Sequence, residues 1–185
     1  MKKIAIFLYI FFVSIPAYGK STVLYQTENS VIEVEDKTIY IGGSITRQVA
    51  NVLLTIDLKK YSRVSLHSWG GWVQAATDIA KFIHVNKLNT YVGRDKGCYS
   101  ACTIIYQAGK IRTAHKSAKF MYHYAHKYKN EKIVVSGIST IKYLLTLEKF
   151  GVPERFFRLW PRNGGPLYLT AQETMPYNVV QMLIK

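Results

Sequence analysis

The feature that most restricts this chain is an alternation of short extended runs with apolar helical periods, recurring about every 25 to 30 residues. Extended runs are expected at Ser30–Asp36, where Val31, Ile32 and Val34 are set against Glu33 and Glu35, and at Thr38–Ile41. Further runs fall at Arg63–His67, Asn89–Val92, Ile111–Ala114 and Ala118–Tyr124. A helix is expected to open at Gly42-Gly43-Ser44, with Ile45, Val49, Val52, Leu53 and Ile56 on one face. A second spans Trp72–Val85 with Ala75, Ala76, Ile79 and Ile83 inward, a third Ser100–Ala108 stops at Gly109, and a long one is expected around Ile133–Phe150. Strand and helix in turn imply right-handed βαβ crossovers, hence an α/β fold with a mostly parallel sheet. Ligands of such sheets bind beyond the carboxyl ends of the strands. Two of those ends carry Gly70-Gly71 and Cys98-Tyr99-Ser100.

At 185 residues and 49% apolar, the chain is long enough for one well-buried core. A mean hydropathy of +0.00 with 14% aromatic residues excludes a disordered chain and a polytopic membrane protein. Residues 1–19 are expected to be a secretory signal: Lys2-Lys3, then an uncharged run from Ile4 to Ile15, Pro16, and Ala17-Tyr18-Gly19 at a cleavage site. An uncleaved anchor is the alternative, but a span needs about 20 apolar residues. Cleavage after Gly19 leaves one domain, residues 20–185, in the periplasm or outside the cell. No internal repeat or low-complexity linker divides it.

Lys and Arg number 25 against 11 Asp and Glu, a net charge of +14. The basic and aromatic stretch over Lys110, Arg112, His115-Lys116 and Lys127–Lys132 is expected to be mostly solvated, with a weak attraction for acidic envelope components. No nucleic-acid motif is present, and no partner of that kind is expected. His67, His84, His115 and His126 share no ligand spacing with acids or thiols, so neither a metal nor a cofactor is expected.

Three weak signals converge on one chemistry. Ser100 stands where a loop meets an apolar helix; it can be a helix cap or a nucleophile. His123 lies in an aromatic strand and can be a core residue or a base. Gly70-Gly71 can be a tight turn, or backbone free of side chains that aims N–H groups at an oxyanion. Together they are the parts of an acyl-transfer site. Cys98 and Cys102 bracket Ser100 at i−2 and i+2, either as small buried residues or, in an exported protein, as a disulfide. So short a loop stabilises by about 2 kcal/mol, its effect being local rigidity at the serine turn.

The stretches Thr38–Ile45, Val64–Gly71, Cys98–Cys102 and Phe120–His123 resemble the proteolytic subunit of the Clp protease, and more closely the secreted branch of the Clp/crotonase superfamily. The resemblance runs from about Thr38 to the C-terminus, where Leu167–Glu173 is similar to the start of the family's last helix. It implies a Clp/crotonase-like fold, Ser100 as nucleophile and His123 as general base, with the N–H groups of Gly71 and Ala101 as oxyanion hole. The 23 residues between Ser100 and His123 are close to the family's spacing. It also implies peptide or other acyl substrates and homo-oligomers assembled through helix 133–150. The family's acid has no counterpart: Pro166 stands in its place and no Asp follows Asp95, leaving Asn163 as the candidate to orient His123. The expected function is therefore a secreted serine hydrolase of the peptidase class, with a Ser-His dyad. The alternative is a catalytically weak or inactive Clp-fold binding or assembly protein of the cell envelope. Crotonase-type chemistry on coenzyme A thioesters suits the fold but not the compartment.

Overall fold

The computed structural model describes residues 21–129, 132–161, 163 and 165–185. The expected signal segment lies outside the described residues. In chain order the strands are β1 (Thr22–Gln26), β2 (Ser30–Glu35), β3 (Thr38–Ile45), β4 (Arg63–Gly71), β5 (Asn89–Val92), β6 (Gly97–Tyr99), β7 (Arg112–His115), β8 (Lys119–Tyr122), β9 (His126–Lys129), β10 (Lys132–Val135), β11 (Leu167–Thr170) and β12 (Met182–Ile184). The helices are α1 (Arg47–Leu53), α2 (Val73–Val85), α3 (Cys102–Gln107), α4 (Gly137–Lys149), α5 (Glu154–Phe157) and α6 (Ala171–Thr174). None of the described helices is long and apolar enough to cross a membrane.

The main sheet runs β1-β2-β3-β4-β5-β7-β12 and forks at β4. The first half of β4 pairs in parallel with β5, Arg63 to Leu66 against Asn89 to Val92. Its second half turns to β6, with Ser68 beside Cys98. β6 then pairs in parallel with β8, and β8 antiparallel with β11. The expected α/β architecture with a mostly parallel sheet is present, edged by the antiparallel β1-β2-β3 meander.

Ile39, Ile41, Val64, Leu66 and Val92 of the sheet pack with Ala75, Ala76, Ile79 and Ile83 of α2. All six residues of α3 are buried, so it forms a central pillar enclosed on every side, with its polar Thr103 and Gln107 hydrogen-bonded. The same core extends to an aromatic group in which Tyr143 of α4 joins Tyr122, Phe156 and Trp160, with Tyr122 edge-on to Phe156 at 4.9 Å.

Four expectations are corrected. The first helix does not open at Gly42: β3 continues through Gly42 and Gly43, which pair with His67 and Ser68, and Thr46 caps α1. Gly43 is left-handed at φ +76 and lies against Asn29, so the glycines permit close backbone approach within a strand instead of ending it. The helix expected over 133–150 is a β9–β10 hairpin followed by α4, which starts only after its Ser136 cap. Arg112 is buried, not solvated, and donates to the carbonyls of Gly109, Asn178 and Val179, tying down the chain that leads into β12. Ser100 is not the cap of the third helix; that position is Ala101, without a side-chain cap.

Candidate active site

The fork at β4 gathers three strand ends: Gly70-Gly71 closes β4, Ser100 follows β6 and His123 follows β8. Above them lies a cleft of about 560 Å³, bordered by Gly71, Ser100 and His123, by Trp69 and Trp72, and by His126, Ser139 and Lys142.

Ser100 is a non-glycine residue in the left-handed region, at φ +54. That conformation costs an L-residue about 1–2 kcal/mol, so it must be held. Its N–H donates to Met121 O on β8 at 2.7 Å. Its carbonyl accepts the Thr103 N–H at 2.9 Å and the Thr103 hydroxyl at 2.7 Å, and the Thr103 hydroxyl is itself bonded to the buried Tyr143 hydroxyl. From below, Gly70 permits the turn to close: a Cβ there would stand 2.7 Å from the Ser100 Cβ and 3.0 Å from the Ala101 nitrogen. A strand, a left-handed serine and a helix in succession make the sharp turn that exposes a nucleophile in hydrolases.

Gly71 pairs with Ile45, and the Trp72 N–H donates to Ile45 O at 2.9 Å. Alternation along β4 then turns the preceding Gly71 N–H away from β3, to the flank where β6 and Ser100 lie. Any side chain at position 71 would drive into the Ile45 backbone. Ala101 is wholly buried at the start of α3.

His123 is half-buried, and its Nδ1 lies 2.6 Å from the Tyr124 carbonyl oxygen. A carbonyl only accepts, so Nδ1 carries the hydrogen and a neutral ring presents its lone pair at Nε2. Burial lowers the pKa of His123; the Tyr124 bond opposes that shift and His126 adds to it. The His126 ring stacks on His123 at 5.1 Å with 21° between planes. Tyr122 and Tyr124 on either side are both braced by Trp160, at 6.2 Å edge-on and 5.6 Å stacked.

Asn163 is engaged elsewhere. Its Oδ1 accepts the Gly165 N–H at 3.0 Å in an exposed local turn, a pattern short amides favour. Among the described residues no hydrogen bond joins the Ser100 hydroxyl to the His123 ring, although both line the cleft. Cys98 and Cys102, both fully buried, stand at disulfide distance with Cα atoms 5.3 Å apart.

Sequence reasoning missed His126, Gln74 and Lys142. Lys142 donates to Gln74 Oε1, Gln74 Nε2 donates to Asp78 at 2.8 Å, and Asp78 pairs with Arg47 at 3.3 Å, so a polar chain crosses from α4 to α1 along the cleft rim. The signal for Lys142 was the helical register of α4, which puts Ile138, Ser139 and Lys142 toward one side once the helix begins at Gly137.

Neither a family model nor a curated protein matches the sequence. Solved structures do match. The chain is similar to 1510-N, a membrane-bound stomatin-specific protease in serine-to-alanine mutant form, with a TM-score of 0.61 and 15% identity over 78% of this chain and 77% of that one. It is also similar to ClpP1 from Listeria monocytogenes in asparagine-to-aspartate mutant form, with a TM-score of 0.58 and 19% identity over 81% of this chain and 92% of that one. The fold is that of the Clp protease. The fold expected from the sequence is thereby met. At such identities the likeness speaks to fold, and chemistry has to be argued from the cleft.

Proposed function

We propose that the chain is an exported serine hydrolase, a peptidase cleaving peptide or related acyl bonds with Ser100 as nucleophile and His123 as general base. One observation carries this reading: a serine held left-handed on a strand-to-helix turn lines the same cleft as an imidazole whose Nδ1 hydrogen is already committed. The Ser100 hydroxyl proton passes to His123 Nε2 as Oγ bonds to the substrate carbonyl carbon. The Gly71 and Ala101 N–H groups receive the oxyanion, and each such donor is worth about 2.7–4 kcal/mol in the barrier. The protonated ring then gives its proton to the leaving amine, and water repeats the sequence on the acyl-enzyme. The Tyr124 carbonyl does the part of the missing acid that fixes the tautomer, but it brings no full negative charge to steady the imidazolium. A modest rate follows.

Residues 1–19 direct export and are removed after Gly19, and the mature chain assembles with copies of itself through α4. The fold neighbours, one of them described as a stomatin-specific protease, support the peptidase reading. A fluorophosphonate probe tests it. One equivalent should attach at Ser100, and Ser100→Ala should abolish attachment. An unlabelled wild-type protein overturns the reading and leaves the second one, a binding or assembly protein of the envelope on the same fold. What favours that second reading is the unbonded pair Ser100 and His123; catalytic bonds often tighten only with substrate in place.

A further inference from the structure

The turn that carries Ser100 is closed by more than hydrogen bonds, and this closure suggests how the nucleophile is kept in place. Three residues, hence four Cα–Cα steps, lie along the chain from Cys98, in the middle of β6, to Cys102, the first residue of α3. Extended chain of that length spans about 13 Å, yet the two Cα atoms are 5.3 Å apart and both side chains are wholly buried. With positions 98 and 102 both pointing into the core, the residue midway between them is turned outward. That residue is Ser100, which borders the cleft.

Resting on the hydrolase reading above, we propose that Cys98 and Cys102 are joined by a disulfide that acts as a positioning device for Ser100, keeping its left-handed backbone in the reactive geometry. Cys98 is anchored on both flanks, in register with Ser68 of β4 and Phe120 of β8. Cys102 opens the fully buried α3. A covalent link between these two fixed points leaves the intervening residues little room to relax toward ordinary right-handed or extended backbone. Hydrogen bonds hold the Ser100 N–H and carbonyl individually. The disulfide removes the concerted motion in which both break together.

The bond forms by exchange with a disulfide-bearing oxidant of the exported compartment. A Cys98 or Cys102 thiolate attacks the oxidant's disulfide, expelling one thiolate. The second cysteine then attacks the mixed disulfide, and the protein loses two hydrogens and two electrons while the oxidant becomes two thiols. Burial makes the finished bond inert in the folded protein: a reductant reaches it only after the turn opens.

The test uses the processed chain purified without reductant. Thiol titration in denaturant should find no free thiol, and two after reduction. Cys98→Ala/Cys102→Ala and wild type are then compared by amide hydrogen exchange across residues 98–104 and by fluorophosphonate inactivation. The double variant should stay folded, lose protection in that segment by at least tenfold, and inactivate at least tenfold more slowly at saturating probe with the half-saturating concentration unchanged. If it does not fold, wild type refolded in reductant supplies the same comparison. Equal protection and equal inactivation overturn the positioning role, and two free thiols in the untreated protein overturn the bond. Should wild type resist the probe altogether, the hydrolase reading fails, and hydrogen exchange alone decides whether the link holds the turn.

Discussion

His123 Nδ1 is 2.6 Å from the carbonyl oxygen of Tyr124, a backbone acceptor one residue along its own chain. The arrangement makes a definite pH profile. Catalysis needs the neutral ring, and burial lowers the His123 pKa from its ordinary value, with His126 adding to the effect against the Tyr124 bond. The inactivation rate by fluorophosphonate should therefore rise with pH through a midpoint below about 6.5, the ordinary imidazole value. The same shift links to stability. The unfolded chain takes up the proton first as pH falls, so stability declines from about pH 6.5 down to the folded value. Urea melts of wild type and His123→Gln should diverge in that window, the variant losing less. A midpoint above 6.5 would contradict the arrangement.

Of the three basic side chains that border the cleft, His123, His126 and Lys142, mutation separates the first from the last as the base for Ser100. Lys142 is exposed and spends a donor on Gln74, whereas His123 is half-buried with Nε2 unprotonated when neutral. His123→Gln is expected to lower the inactivation rate by about 10²–10⁴-fold, the range for a lost general base. Lys142→Met should change it less than tenfold. The reverse ranking would assign the base to Lys142 and reduce His123 to part of the cleft wall.

How much of this was legible beforehand depended on the range of the signal. The strand-helix alternation and the buried faces of α2 are local periodicities, and they carried the fold class and the placing of Gly70-Gly71 and Ser100 at the carboxyl ends of strands. Gly42 and Gly43 misled because a glycine pair marks a turn as often as a strand pressed against a neighbour; only the approach of Asn29, supplied by the β1–β2 turn, decides which. The β9–β10 hairpin was hidden because Ile133 to Val135 continue the apolar character of α4 with no break except Ser136. The short β12 is ordered by the buried Arg112, a partner far away in sequence. His126 and Lys142 belong to the cleft through packing of whole elements, which no motif announces.

Gly70 offers a test of the elbow that replaces none of the reactive side chains. It lies at φ +92, and a Cβ there would meet the Ser100 Cβ at 2.7 Å and the Tyr99 oxygen at 2.7 Å. Gly70→Ala combines a strained backbone, worth about 1–3 kcal/mol, with displacement of the serine turn. Thermal unfolding should drop by several degrees, since about 1 kcal/mol shifts a domain of this size by roughly 2–4 °C. The inactivation rate should fall more steeply than stability explains, measured well below the melting range. A variant that melts early yet reacts at the wild-type rate would show that the turn does not depend on close packing over β4.

The outward face of α4 makes the last prediction. Thr140, Tyr143 and Leu147 seat the helix on the core, so its inner stripe is satisfied. Yet Ile138, Ile141 and Leu145 form a second stripe at 84%, 59% and 59% exposure, with Ile133 and Val135 of β10 also exposed. Solvent contact is unfavourable for such a run by about 25 cal/mol for each Å² of apolar surface, and contiguous patches of this kind mark interfaces more often than idle surface. Lys142 and Lys149 flank it, so like charges would oppose any contact that the apolar stripe did not bring into register. Self-association through this stripe is expected. Ile141→Glu/Leu145→Glu places two carboxylates at its centre without touching the inner face, so the variant should melt close to wild type. In sedimentation velocity at micromolar concentration, wild type should run as an oligomer and the variant as a smaller species. A wild-type chain that sediments as a monomer, or a variant that keeps the wild-type size, removes α4 from the assembly.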